Sequence, residues 1–321
     1  MSIHGVLGES TSYPKTYQPD TLYAIPRSMG RNEINWQQDK LAVGVDWWHA
    51  FEVSWLNNQG ISQMAIARFS IPASSPNIVE SKSLKLYLNS LNFTEFDNWE
   101  AVQQTIAKDL SACVGAEVGV ALFELDAISS GSESDTGFLI AHPQGKCIDN
   151  ALDGLAHNVS LVEHPDASLL SSTDLLSTDH EDTALSTDNP DIEKPDTEKL
   201  GIEKPGTEKL SIEKEYQLYS NLLRSNCPVT NQPDWGTLSI EISTSHAIDE
   251  AKLLSYILSF RQHNGFHEQC VEQIFADLSQ RYSPSKLMVR AWYTRRGGID
   301  INPCRVSDIS LMPKPSRLVR Q

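Results

Sequence analysis

From Leu161 to Glu215 the chain has nothing with which to build a core, and that stretch divides the rest. It holds fifteen acidic residues, five lysines and no arginine, a net of −10, and it lacks Phe, Tyr, Trp, Cys and Met. The whole chain of 321 residues carries −16. Ser-Thr-Asp recurs at 172–174, 177–179 and 186–188, and Ile-Glu-Lys recurs at 192–194, 202–204 and 212–214, the latter every ten residues. A solenoid needs an apolar stripe in each repeat, whereas each unit here offers only an Ile and a Leu. So little apolar surface cannot offset the entropy lost on ordering, and 161–215 reads as a solvated, disordered insertion with no chemistry of its own. Two portions remain, 1–160 and 216–321, in keeping with the two domains that this length suggests.

The flanking portions repeat one order of elements. In the first, Phe51–Leu56 and Met64–Ile71 alternate as half-buried strands around an Asn57–Gly60 turn, which predicts a hairpin. Ser83–Leu91 is compatible with a helix, and Trp99, Val102, Ile106, Leu110 and Cys113 form one face of a second helix opened by Asp97 or Asn98. Glu117–Leu125 follows as a strand. The second portion predicts strands at Leu222–Ser225 and Gly236–Ile242, helices at Asp249–Phe260 and Phe266–Tyr282, and a strand at Lys286–Tyr293. Strands grouped apart from helices imply an α+β fold with antiparallel sheets, and the repeated order implies an internal duplication.

Several function classes are disfavoured. No apolar stretch reaches the roughly 18 residues of a membrane span, and the first residues lack the basic and apolar regions of a signal peptide, so a soluble, cytoplasmic protein is expected. The net charge of −16 argues against direct nucleic-acid binding. Five cysteines, at 113, 147, 227, 270 and 304, form no CxxC pair and imply free thiols.

Four polar segments stand out: Val79-Glu80-Ser81-Lys82-Ser83, Asn226-Cys227-Pro228 through Asp234-Trp235, Phe266-His267-Glu268-Gln269-Cys270, and Arg295-Arg296-Gly297-Gly298. Cys227, beside polar residues and a proline, is either a nucleophile or an ordinary loop thiol. Cys113 and Cys270 sit at helical spacing from apolar residues and read as core. His267 is a general acid, a metal ligand or a partly buried histidine; with Cys270 it makes only half of a zinc site, and no HExxH is present. Glu80 and Glu268 are either dipole-complementing helix-start acids or carboxylates that accept two N–H bonds from a flat heterocycle. The Arg-Arg-Gly-Gly run is a turn or an anion clamp. There is no GxGxxG and no P-loop.

Taken together, Glu80-Ser-Lys-Ser-Leu-Lys-Leu-Tyr-Leu-Asn-Ser90, Ser225-Asn-Cys-Pro-Val-Thr-Asn-Gln-Pro-Asp-Trp-Gly236, Phe266-His-Glu-Gln-Cys270 and Tyr293-Thr-Arg-Arg-Gly-Gly-Ile-Asp-Ile-Asn-Pro303 resemble the motifs of the QueF family, in its long two-domain form. The resemblance runs from about Tyr23 to the end of the chain and omits the repeats. It implies tandem tunnelling-fold domains, a homodimer, and reduction of the nitrile of 7-cyano-7-deazaguanine to an amine with two NADPH and no metal, in queuosine biosynthesis. It implies that Cys227 forms a covalent thioimide, that Asp234 is general acid and base, and that His267 assists proton delivery. It further implies that Val79, Glu80, Ser81, His267 and Glu268 hold the substrate, and that Ser81, Lys82, Arg296 and Gly297 hold NADPH. Phe266 and Glu80, beside the pocket motifs, are the expected lid. A zinc-dependent cyclohydrolase on the same fold and a non-catalytic purine-binding module are the competing readings.

Overall fold

The computed structural model describes residues 13–129, 138, 140–155, 162, 164–174 and 212–321. Long alternating segments become long strands: β1 (Gly44–Leu56) and β2 (Ser62–Pro72) form the first hairpin, and β4 (Lys214–Asn226) and β5 (Pro233–Thr244) form its counterpart. Between them in sequence lie α1 (Ser81–Ser90), α2 (Trp99–Val114) and β3 (Gly119–Phe123); after them come α3 (Glu250–Ser259), α4 (His267–Tyr282), β6 (Lys286–Tyr293) and β7 (Ile299–Val306). The first repeat is therefore ββααβ and the second ββααββ.

All these strands join one eight-stranded sheet in the order β3-β2-β1-β7-β6-β5-β4, with Lys146–Cys147 added parallel to β4 at one edge. The repeats meet where β7 runs antiparallel to β1, with Ile301 opposite Trp48. Along β6, Leu287, Val289, Ala291 and Tyr293 enter the core under α3 and α4, whereas Met288 turns to the other face with Trp47, Cys304 and Val306.

Each helix has a local cause. On α2 the Asn98 side chain accepts from the Ala101 N–H, Val102, Ile106, Leu110 and Val114 are completely buried at four-residue spacing, and Gly115 ends the helix at φ +75°. A Cβ at Gly115 would also lie 2.7 Å from Pro76. On α3, Asp249 caps the N–H groups of Ala251 and Lys252. Burial of each such large apolar side chain stabilises the fold by roughly 1.5–3 kcal/mol.

Three expectations change. The strands are longer than the apolar patterns indicate: Leu222–Ser225 is the end of a strand beginning at Lys214, and the last strand, β7, carries Asp300, Asn302, Pro303 and Arg305, so no apolar run marks it. The insertion is also narrower than 161–215. Ser172–Asp174 pairs with His246–Ile248, Asp166 N–H donates to Ser259, and Leu170 is buried in the second repeat's core. Lys214 and Glu215 already belong to β4, and most of the Ser-Thr-Asp and Ile-Glu-Lys repeats lie outside the described residues. Finally, the two portions are interleaved: Ile34 and Leu41 pack in the second core, and Ile299 and Ile301 in the first.

Candidate active site

The junction of the repeats carries a cleft lined by Val79, Glu80, Ser81, Cys227, Asp234, Phe266, His267, Glu268 and Arg296, with Trp48 of β1 and Ile301 of β7 among its walls. Its empty space, open mouth included, is about 400 Å³. Besides Trp48 and Ile301, each of the four polar sequence segments contributes lining residues, so the four converge on one place.

Cys227 sits at the tip of the β4–β5 hairpin. Its N–H donates to the Gln232 carbonyl and its carbonyl accepts from the Asn231 N–H, which closes a tight loop with Asn231 in the left-handed region at φ 54°. The thiol is half-buried, as a nucleophile must be to meet a substrate. Cys270 is different. It is completely buried in the core, and burial pushes its thiol up to about 12. Among the described residues no group of three or more His, Cys, Asp or Glu could hold a metal ion.

Asp234, on β5, is 5% exposed and touches two basic side chains: its Oδ1 is 2.8 Å from Arg296 Nη2, and its Oδ2 is 3.3 Å from His267 Nε2. The His267 contact is at ion-pair distance but is not aligned as a hydrogen bond, so Nε2 is left without a partner. The imidazole is braced by Tyr293, whose ring lies 3.9 Å away at 30°. A second arm of Arg296 donates to Gln232, 2.8 Å away.

The two glutamates differ. Glu80 is the N-cap of α1, and its oxygens accept from the N–H groups of Lys82 at 2.9 Å and Ser83 at 2.7 Å. Both oxygens thus serve the helix, which holds Glu80 in place and does not suit a swinging lid. Glu268 lies inside the first turn of α4, is 3% exposed, and its Oε1 has no partner. Burial, reinforced by the nearby Asp46 charge and opposed by His267 and Arg27, raises its carboxyl to about 7.

Beside the cleft, Arg296 and Gly297 meet the start of α1. Gly297 and Gly298 adopt φ of 57° and 76°, and a Cβ on Gly297 would lie 3.1 Å from Lys85. Lys85 was not among the expected site residues, although it follows Ser81 by one helical turn. Its ammonium is held below its ordinary value, first by burial and then by the Arg296 charge, with Glu80, Asp234 and Cys227 acting the other way. Cations crowded around a glycine turn suit a phosphate-bearing ligand. The sequence reading also missed Trp48 and Ile301, because apolar strand residues carry no signal that separates a cleft wall from core.

Comparison with known proteins follows the same division of the chain. Residues 13–122 match the family described as nitrile reductase, 7-cyano-7-deazaguanine-reductase N-term, and residues 233–309 match the family described as QueF-like protein. A protein of Psychrobacter arcticus and another of Psychrobacter cryohalolentis are each 61% identical over the full length of both chains. A protein of Acinetobacter baumannii is 48% identical over 98% of each chain. All three are named NADPH-dependent 7-cyano-7-deazaguanine reductase. With both halves matched, the chain belongs to the QueF family of NADPH-dependent 7-cyano-7-deazaguanine reductases.

Proposed function

We propose that this chain reduces the nitrile of 7-cyano-7-deazaguanine to a primary amine, giving 7-aminomethyl-7-deazaguanine, with Cys227 as nucleophile. The single observation that carries the reading is the Glu268 carboxylate: one buried oxygen has no hydrogen-bond partner among the described residues, and it lines the same cleft as a half-buried thiol. A carboxylate accepts from two N–H donors of a guanine-like edge, and a heterocycle lacking those donors leaves it unpaired. The His267 side chain and the Val79–Ser81 wall complete the substrate pocket.

A nitrile carbon is a modest electrophile, and covalent capture makes it more reactive. The Cys227 sulfur adds to that carbon, and Asp234 takes the thiol proton and delivers it to the nitrile nitrogen, leaving a thioimide. NADPH supplies a hydride in each of two reductions, and Ser81, Lys82, Arg296 and Gly297 are the residues that hold it, with Lys85 adding a third cation. His267, braced by Tyr293 and next to Asp234, passes protons to the nitrogen during these steps. Breaking the carbon–sulfur bond returns the thiol, so two hydrides and two protons account for the amine. Phe266, half-buried at the start of α4, shields the imine from water between reductions.

The same proposal includes a homodimer. Among the described residues the outer edge of β4 is paired at Leu218 and Tyr219 by Lys146–Cys147 and at Asn226 by Asn264, which leaves much of its thirteen residues open, and open strand edges favour pairing with another chain. Light scattering of the purified protein tests this. Function is tested by NADPH oxidation with the nitrile substrate: two NADPH per amine, lost in Cys227→Ala, is the expected result. No turnover by the parent protein overturns the reading.

A further inference from the structure

One turn along α4 from Glu268, Glu272 joins a cluster of charges that substrate chemistry does not itself require. Arg27, Arg31, Asp46, Glu272 and Arg305 are all buried. Asp46 Oδ2 accepts from Arg27 Nη2 at 2.6 Å, and its Oδ1 accepts from Arg305 Nη1 at 2.7 Å. Glu272 Oε1 accepts from Arg31 Nη2 and Arg305 Nη2, each at 2.7 Å, and Oε2 accepts from Arg31 Nε at 3.1 Å. Three guanidiniums against two carboxylates leave one positive charge uncompensated, since arginine does not give up its proton.

The surplus has an address. Arg27 Nη1 is buried without a hydrogen-bond partner, 3.7 Å from Glu272 Oε1. Glu272 follows Glu268 by four residues on α4, so the two carboxylates share a helix face. Arg27 is thus ion-paired with both Asp46 and Glu272, yet its Nη1 donates no hydrogen bond and lies beside Glu272, one turn of α4 from Glu268, whose Oε1 accepts none. Isolated buried charges are unfavourable, and together these two neutralise the region.

We infer that Arg27 is a positioning residue for substrate recognition: its surplus charge keeps Glu268 ionised in the dry cleft, so that the carboxylate can accept the N–H donors of the heterocycle. This deepens the function proposed above and rests on it. The charged groups around Glu268 are His267, Cys270 and Glu272 on its own helix, Asp46 on β1 and Arg27 before it. Across the cleft lie Glu80, Cys227, Asp234 and Arg296. Of these, Asp46 opposes ionisation of Glu268, whereas His267 and Arg27 favour it. Asp46 and Arg27 thus act with opposite sign although they are bonded to each other, and this separates electrostatics from simple loss of structure.

The test is the pH dependence of KM for the nitrile substrate, beside kcat, in four proteins whose folding is checked by circular dichroism. In the parent, KM rises as pH falls through about 7. Arg27→Gln moves that midpoint up by about one pH unit or more and raises KM at pH 7 about fivefold or more, with a smaller change in kcat. Asp46→Asn moves the midpoint down. Arg27→Lys keeps the charge and leaves the midpoint near the parent's; if Arg27→Gln does not fold, the Asp46→Asn and Arg27→Lys midpoints decide. Midpoints unmoved, or moved in the same direction by Arg27→Gln and Asp46→Asn, overturn the inference. A parent that does not turn the substrate over refutes the proposed function instead, so the two failures are distinct.

Discussion

Replacing Glu268 by glutamine tests the site through folding stability, with no substrate present. A carboxyl raised from the ordinary 4.5 to about 7 is protonated in the folded protein at pH 5–6, where the unfolded chain has already lost its proton. The folded state then binds more protons, so stability falls as pH rises and reaches its full loss once pH passes the folded value. Ionising the buried carboxyl therefore destabilises the parent by on the order of 3 kcal/mol at pH 8. Glutamine has the same shape and no charge. Relief of that term, less the cost of burying an amide, leaves about 1–3 kcal/mol of extra stability at pH 8 and little at pH 5. For a protein of this size that corresponds to roughly 2–6 °C in melting temperature. The assay is thermal or urea unfolding of both proteins from pH 5 to pH 8.5, with the difference plotted against pH. A difference that does not depend on pH, or that favours the parent at pH 8, refutes the reasoning. The same substitution should raise KM for the nitrile about a hundredfold, because charge-assisted hydrogen bonds are lost.

Three further outcomes are expected. Cys227→Ala removes the protein–substrate adduct seen by absorbance or intact mass and lowers turnover by roughly a thousandfold or more. Lys82→Ala and Arg296→Ala each raise KM for NADPH about tenfold with little change in KM for the nitrile, and the parent's affinity for NADPH weakens with salt. Deleting 176–211 leaves melting temperature and activity unchanged, whereas deleting 161–215 removes the buried Leu170, the Ser172–Asp174 strand and the start of β4, and lowers stability by at least about 2–5 kcal/mol.

The repeated order of elements was legible because hairpins and amphipathic helices write their periods into the sequence: the four-residue spacing of Val102, Ile106 and Leu110 is enough to mark α2. The last strand was not legible. Residues 299–306 are all buried, but Asp300, Asn302 and Arg305 bond to tertiary partners, His49, Gln321, Asp46 and Glu272 among them, and alternation of apolar residues cannot report such burial. The limits of the insertion were misplaced for a related reason. Leu170 is one apolar residue in a polar run, and only the core beneath α3 and α4 shows why it is held. Polar segments, by contrast, carry a readable signal, and residues of all four line one cleft.

What no sequence pattern separates is the work of the two glutamates. Both stand at helix starts, and both suit the positive end of a helix dipole. Glu80 precedes its helix with φ −72° and ψ 128°, so its side chain can fold back on the free N–H groups of Lys82 and Ser83. Glu268 is the second residue inside α4, where the capping reach is lost and the carboxylate projects into the cleft. A difference of two positions relative to the helix start makes one carboxylate a helix cap and leaves the other, in the cleft, with an Oε1 that accepts no hydrogen bond. Helix boundaries are uncertain by about that much when read from sequence alone. The division of labour is therefore a property of where each helix begins, and the β1–β7 joint that brings Trp48 and Ile301 together is what sets those two helix starts around a single cleft.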